Sequence, residues 1–206
     1  MAGVTRIDVF ADIACPFTHF GLRRLVEARA ARGARAEIRV HAWPLEWVNG
    51  KPLDPRFVAR EVDALRSGVA PDLFVHFDAA AFPSTVIPAF GLAAAAYAHD
   101  DATGEAVSLA VRDAVFEQGI DIADDDAIAK IAAAFGVELL DPKASTSAVR
   151  DDWELGQTRG VKGSPHFFVG DRDWFCPSLE IRHDAEGFDV QVAQTRMQEF
   201  YAVVLG

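Results

Sequence analysis

The sequence predicts an α/β fold: two halves of one sheet domain flanking an all-helical insertion. Three observations carry this. Residues 1–52 read as strand, helix, strand; residues 53–149 hold helical patterns and no convincing strand; residues 150–206 read as two strands and a closing helix. Half of the 206 residues are apolar, so a sizeable core can form without disulfides or metal.

Each element has its own warrant. In residues 5–12, Ile7, Val9 and Ala11 face one side and Asp8 and Phe10 the other, the period of a strand. From Thr18, Leu22, Leu25, Val26 and Arg29 recur at helical spacing, and Gly33 ends the run. Residues 36–42 alternate strictly, giving a second strand. Strand, helix, strand with short connections is a βαβ unit, so the strands should be parallel. Residues 43–55, with three prolines, read as a loop. Val58, Val62 and Leu65, then Val107, Val111 and Ala114, then Ile128, Ile131, Ala132 and Phe135 are helix faces. Segment 67–91 reads as an irregular connection. Asp124–Asp126 lack the glycine and distal glutamate of a calcium loop; one aspartate is read as the cap of the helix and the others as favouring its positive end. Val149, Trp153 and Gly156 continue as a helix ending near Arg159. HFFV (166–169) and DWFC (173–176) read as a hairpin around residues 170–172, with Cys176 opposite Phe167. Ala193, Met197, Phe200, Tyr201 and Val204 mark the last helix.

The net charge of −11 disfavours nucleic acid and anionic membrane as partners. No apolar run approaches the length of a membrane span, and the N-terminus lacks the pattern of a signal peptide, so a cytoplasmic location is expected. Two cysteines in a reducing compartment are not a structural framework. The histidines show no metal spacing, so no metal is expected. No Ser-His-Asp set, phosphate loop or dinucleotide fingerprint is present.

The chemistry gathers at DIACPFTHF (12–20). Cys15 stands where the first strand turns into the first helix, among free N–H groups and the positive end of the helix dipole. A thiolate there is stabilised. Pro16 suits the first helical position, and Thr18 can turn its hydroxyl back toward the sulfur. His19 follows as an accessory candidate. A second stretch, VKGSPHFFV (161–169), places Pro165 at a strand entrance, where a proline needs a reason to stand.

These motifs resemble those of the DsbA family of thioredoxin-like proteins. ACPFTHFGLRRL is similar to that family's Cys-Pro-x-Cys helix start, and GSPHFFV to its cis-proline loop. AVRDAVFEQGIDIADDDAIAKIAAAFGVEL is similar to the helical insertion of the branch holding FrnE-like oxidoreductases and 2-hydroxychromene-2-carboxylate isomerases, which are relatives of kappa-class glutathione transferases. The resemblance implies a thioredoxin-like fold with an inserted helical subdomain and thiol–disulfide exchange at a redox-active cysteine. It makes Cys15 the nucleophile and Thr18 its support. Pro16, Phe17, Ser164, a cis Pro165 and His166 would form the substrate groove, with Ser164 open to strand-like pairing. The substrate would be a small-molecule or protein thiol or disulfide. No tightly bound cofactor is implied, only a low-molecular-weight thiol such as glutathione or mycothiol.

One departure matters. Thr18 stands where the family has its second cysteine and cannot resolve a mixed disulfide. Three readings stay open: Cys15 acts alone and an outside thiol resolves it; Cys176 resolves it, which needs movement; or the pocket holds a thiol cofactor for an isomerase or transferase. Trp43, Trp47, Phe74, Phe77 and Phe82 are read mainly as core, and Arg23 and Arg24 as solvated helix residues.

Overall fold

The computed structural model describes residues 4–184 and 187–206; the first three residues of the segment read as lacking a leader lie outside this range. The leading strand β1 (Thr5–Ala11) pairs in parallel with β2 (Ala36–Ala42), in the register Thr5–Ala36 through Ala11–Ala42. Between them runs α1 (Pro16–Arg32), closed by Gly33 at φ 58°, where the N–H groups of Gly33 and Ala34 return to Ala30 and Arg29. Glycine is favoured there because a side chain resists the left-handed region. The helix begins two residues before the periodic pattern does. Pro16, Thr18, His19, Phe20, Gly21 and Leu22 are all buried, so the first turns have no polar face to mark a period.

The sheet is completed by β3 (His166–Val169), antiparallel to β1, and β4 (Arg172–Phe175), in the order β2-β1-β3-β4. Both ends of the chain therefore build one thioredoxin-like sheet. The hairpin closes earlier than the sequence suggests: Val169 pairs with Arg172, and Trp174, not Cys176, lies opposite Phe167. Cys176 follows the strand at φ 43° and donates its N–H to the Pro165 carbonyl at 3.0 Å.

The insertion is helical. After a short α2 (Leu45–Asn49), which falls in the segment expected to be loop, come α3 (Pro55–Gly68), α4 (Ile87–His99), α5 (Asp101–Phe116) and α6 (Asp125–Phe135). Segment 69–86 is irregular apart from one 3-10 turn at 79–81. The next helix, α7 (Pro142–Thr158), is continuous across residues 149–150 and lies over the sheet. Asp124 caps α6 by accepting from Asp126 N–H. A two-stranded ribbon, β5 (Leu179–Asp184) and β6 (Gly187–Val192), precedes α8 (Gln194–Val204).

Apolar packing divides by layer. Ile7, Val9, Leu22, Leu25, Ile38, Val40, Phe167, Phe200 and Val204 fill the space between the sheet, α1 and α8. Phe10, Trp43 and Phe168 occupy the opposite face, and Trp153 of α7 stacks on Trp43 at 4.2 Å between ring centres. Phe74, Phe82, Val107, Val111 and Phe116 centre the core of the insertion. That core reaches the sheet domain through Ile13, Ala14 and Phe20. The turn carrying Cys15 is thus the seam between the two cores.

Candidate active site

Cys15 is the N-cap of α1, in extended conformation (φ −88°, ψ 114°), with no side-chain cap bond. Its carbonyl accepts the first helical bond, from His19 N–H at 3.1 Å. The residue is 4% exposed. Its thiol donates to the Ser164 carbonyl at 3.5 Å. The Ser164–Pro165 peptide bond is cis. The Ser164 hydroxyl accepts from Asp12 N–H at 2.8 Å and shares a hydrogen bond with the Thr18 hydroxyl, also at 2.8 Å. Two segments 149 residues apart are therefore joined by one serine, a threonine and a thiol.

The position of Cys15 suggests a thiolate, but its surroundings oppose one. Burial pushes the thiol up to about 11, and the carboxyl of Glu61 on α3 adds to this; the Thr18 hydroxyl, the Thr18 N–H and Ser164 act the other way. Desolvation outweighs these hydrogen bonds here. Cys176 is also buried, and its thiol is pushed up to about 12 by burial, with the charge of Cys15 as the next cause. Both cysteines meet the Ser164–Pro165 loop, Cys15 through its thiol on the Ser164 carbonyl and Cys176 through its N–H on the Pro165 carbonyl, and both thiols are free.

Three ionisable residues of this region carry no clear sequence signal. Asp12 is fully buried; its carboxylate accepts from Ala14 N–H at 2.6 Å and from Leu45 N–H, and burial raises it to about 6. Glu61 is half-buried and raised to about 8, again by burial. Arg112 on α5 is 1% exposed and donates to the Ser108 carbonyl, the Ser108 hydroxyl and the Asp12 carbonyl. The only available hint is spacing: Glu61 adjoins the Val58–Val62–Leu65 face, and Ser108 and Arg112 flank the Val107–Val111 stripe.

Other candidates lie elsewhere. His166 is buried on the far face of the sheet, with its ring 4.4 Å from that of Phe168. Its Nδ1 accepts from Lys162 N–H and its Nε2 bonds Asp173, which fixes it as a neutral hinge of the hairpin rather than a groove residue. His19 is buried against Phe74 and Phe116, bonded to Glu117 at 2.7 Å, and burial lowers its pKa. It joins α1 to the insertion. Arg23 and Arg24 do the same through Asp113 and Asp72, so they are not merely solvated. Pro16 is buried, and Phe17 is half-buried against the insertion core. Trp43, Phe74 and Phe82 pack as core. Among the described residues, no group of side chains is placed to hold a metal ion and no helix is long and apolar enough to cross a membrane.

Comparison with solved structures agrees with this architecture. A 2-hydroxychromene-2-carboxylate isomerase superposes with TM-score 0.58 at 20% identity, covering 82% of this chain and 88% of its own. A probable DsbA oxidoreductase from Streptomyces coelicolor gives TM-score 0.67 at 18% identity over 96% and 89%. The cytosolic disulfide reductase DsbM from Pseudomonas aeruginosa gives 0.52 at 15% identity over 96% and 98%. At these identities the likeness is one of fold. Among curated proteins no sequence relative is found. The profile of the DSBA-like thioredoxin domain, by contrast, matches residues 6–182, from the first strand through the Cys15 turn and the helical insertion to the ribbon, and the chain belongs to that family.

Proposed function

We propose that the protein is a thiol–disulfide oxidoreductase in which Cys15 is the sole nucleophile. The observation that supports this best is the Cys15 sulfur at a helix N-terminus, against the Ser164 carbonyl, with Thr18 where a second sulfur would stand. The Cys15 thiolate attacks one sulfur of a disulfide R–S–S–R′. A Cys15–S–S–R mixed disulfide forms, the S–S bond of the substrate breaks, and R′S⁻ leaves and takes up the proton that Cys15 lost on ionising. A small external thiolate then attacks the R sulfur and releases Cys15 as thiolate, so electrons balance without a second protein cysteine. Ser164 and the cis Pro165 shape the groove, and a cytoplasmic location suits the reducing direction.

A second reading has its own support. Burial favours the protonated form of the Cys15 thiol, and a neutral thiol is a donor more than a nucleophile. Such a site suits an isomerase or transferase in which a small thiol such as glutathione is the reacting partner. The solved isomerase shares the fold.

Peptide-mapped mass spectrometry after mild oxidation with a small disulfide separates these. A reducible adduct on Cys15 and none on Cys176 is the expected result. A Cys15–Cys176 cross-link would replace the single-cysteine mechanism by a two-cysteine one. An unmodified Cys15, with turnover of an electrophilic or chromene-type substrate only when the thiol is added, would overturn exchange in favour of the second reading.

A further inference from the structure

Arg112 is hard to explain as a packing residue. It is the largest of the fully buried side chains. Taking a guanidinium out of water costs several kcal/mol unless an anion repays it. Its direct partners are neutral: the Ser108 carbonyl at 2.6 Å, the Ser108 hydroxyl at 2.8 Å and the Asp12 carbonyl at 3.5 Å. Its Nε–H is buried and bonds nothing among the described residues. Asp12 attracts it through space, but both carboxylate oxygens of Asp12 already accept from Ala14 and Leu45. The cation therefore keeps spare hydrogen-bonding capacity while it touches the turn that carries Cys15. The Asp12 carbonyl it touches is three residues from that sulfur, and the Asp12 N–H holds the serine whose carbonyl meets the thiol.

We infer that Arg112 is the buried counter-charge of a sulfur anion at Cys15, supplied by the helical insertion to the sheet domain. It is a positioning residue: it acts through the field and through Asp12, with no contact to substrate. This rests on Cys15 working as a thiolate. Glu61 from α3 and Cys176 beyond β4 interact with the sulfur by charge, and Arg112 from α5 is attracted to it, with Asp12, Tyr97 and Asp113 acting on the arginine as well. Of these only Arg112 is cationic, so the insertion sets the balance between its own Arg112 and Glu61.

The test is ultraviolet thiolate titration of Cys15 in the Cys176→Ser background. Arg112→Gln keeps donors for Ser108 but loses the charge, and should lower the thiolate fraction at a given pH by about tenfold, one pKa unit. Arg112→Lys should restore most of it, and Asp12→Asn should shift ionisation the other way. Coincident titrations of Arg112→Gln and its parent would overturn the inference. A second test leaves Arg112 intact, in case its variants do not fold. Cys15→Asp puts a fixed anion at the sulfur position, and should be as thermally stable as Cys15→Asn above the carboxylate range. Progressive loss of stability in Cys15→Asp alone as pH rises would show no counter-charge there. Neither readout depends on disulfide exchange, so absence of a small-disulfide adduct overturns the proposed reaction without altering this result.

Discussion

Thr18 decides what the Cys15 turn can do. Its hydroxyl supports the sulfur and bonds Ser164 at 2.8 Å. Thr18→Val keeps the shape and removes the hydroxyl. It should slow adduct formation at Cys15 several-fold at fixed pH and destabilise the fold by about 1 kcal/mol, the worth of one hydrogen bond. Mass spectrometry and urea unfolding read the two effects separately. Thr18→Cys should do the reverse for the reaction cycle: oxidation should bridge positions 15 and 18, and release of bound substrate should no longer need an external thiol. Persistence of the Cys15 mixed disulfide in that variant would show that the geometry of the turn, rather than a missing sulfur, blocks resolution.

Among the elements, α7 shows how close packing fixes the face of the sheet behind the site. A Cβ added at Gly156 would lie 2.6 Å from the Trp43 ring and 3.0 Å from Phe10. Gly156→Ala should therefore cost about 1–3 kcal/mol by overpacking, despite the better helix propensity of alanine. Leu155→Ala, on the 42% exposed neighbouring residue, should stay within about 0.5 kcal/mol. Shifts of the urea midpoint check both. The same elements show which parts of the fold the sequence discloses. β1 and β3 are legible as short apolar runs although both their faces are buried, while α8 and the start of β2 keep exposed residues between buried ones and carry a clean period. α4 does not, because Ala89 through Ala93 and Ala95 through Tyr97 are all buried and leave no polar face. β5 and β6 form a two-stranded sheet of their own among the described residues, and residues 180–183 are exposed, so alternation is weak. Cys15, Thr18, Ser164 and Pro165 are legible because they sit in local motifs. Glu61 and Arg112 are not, since their approach to the turn comes from α3 and α5 folding over it; Asp12 lies in the motif itself, but its complete burial comes only with the fold.

For the molecule as a whole, the charge network across the sheet sets the pH window of stability. His41 bonds Asp152 at 2.7 Å and Asp8 at 3.2 Å, and Asp8 also bonds Arg159 at 2.9 Å. Burial opposes the charge on His41, but the two carboxylates outweigh it and raise its pKa. Asp8 pays the same burial cost and is nonetheless held below the ordinary carboxylate range by His41 and Arg159. The His41 contribution is complete below its ordinary titration and is lost as pH rises through the raised value. The Asp8 contribution is complete above its ordinary value and is lost as pH falls. His41→Gln should therefore lower the melting temperature more near about pH 6 than near about pH 9; equal losses at both would contradict a charged His41. The burial of Cys15 has a kinetic consequence at the same scale. At 4% exposure the sulfur meets a reagent only when the seam between sheet domain and insertion breathes open. Labelling should then rise with reagent concentration at first and level off at the opening rate, so that Cys15 serves as a built-in clock for that motion.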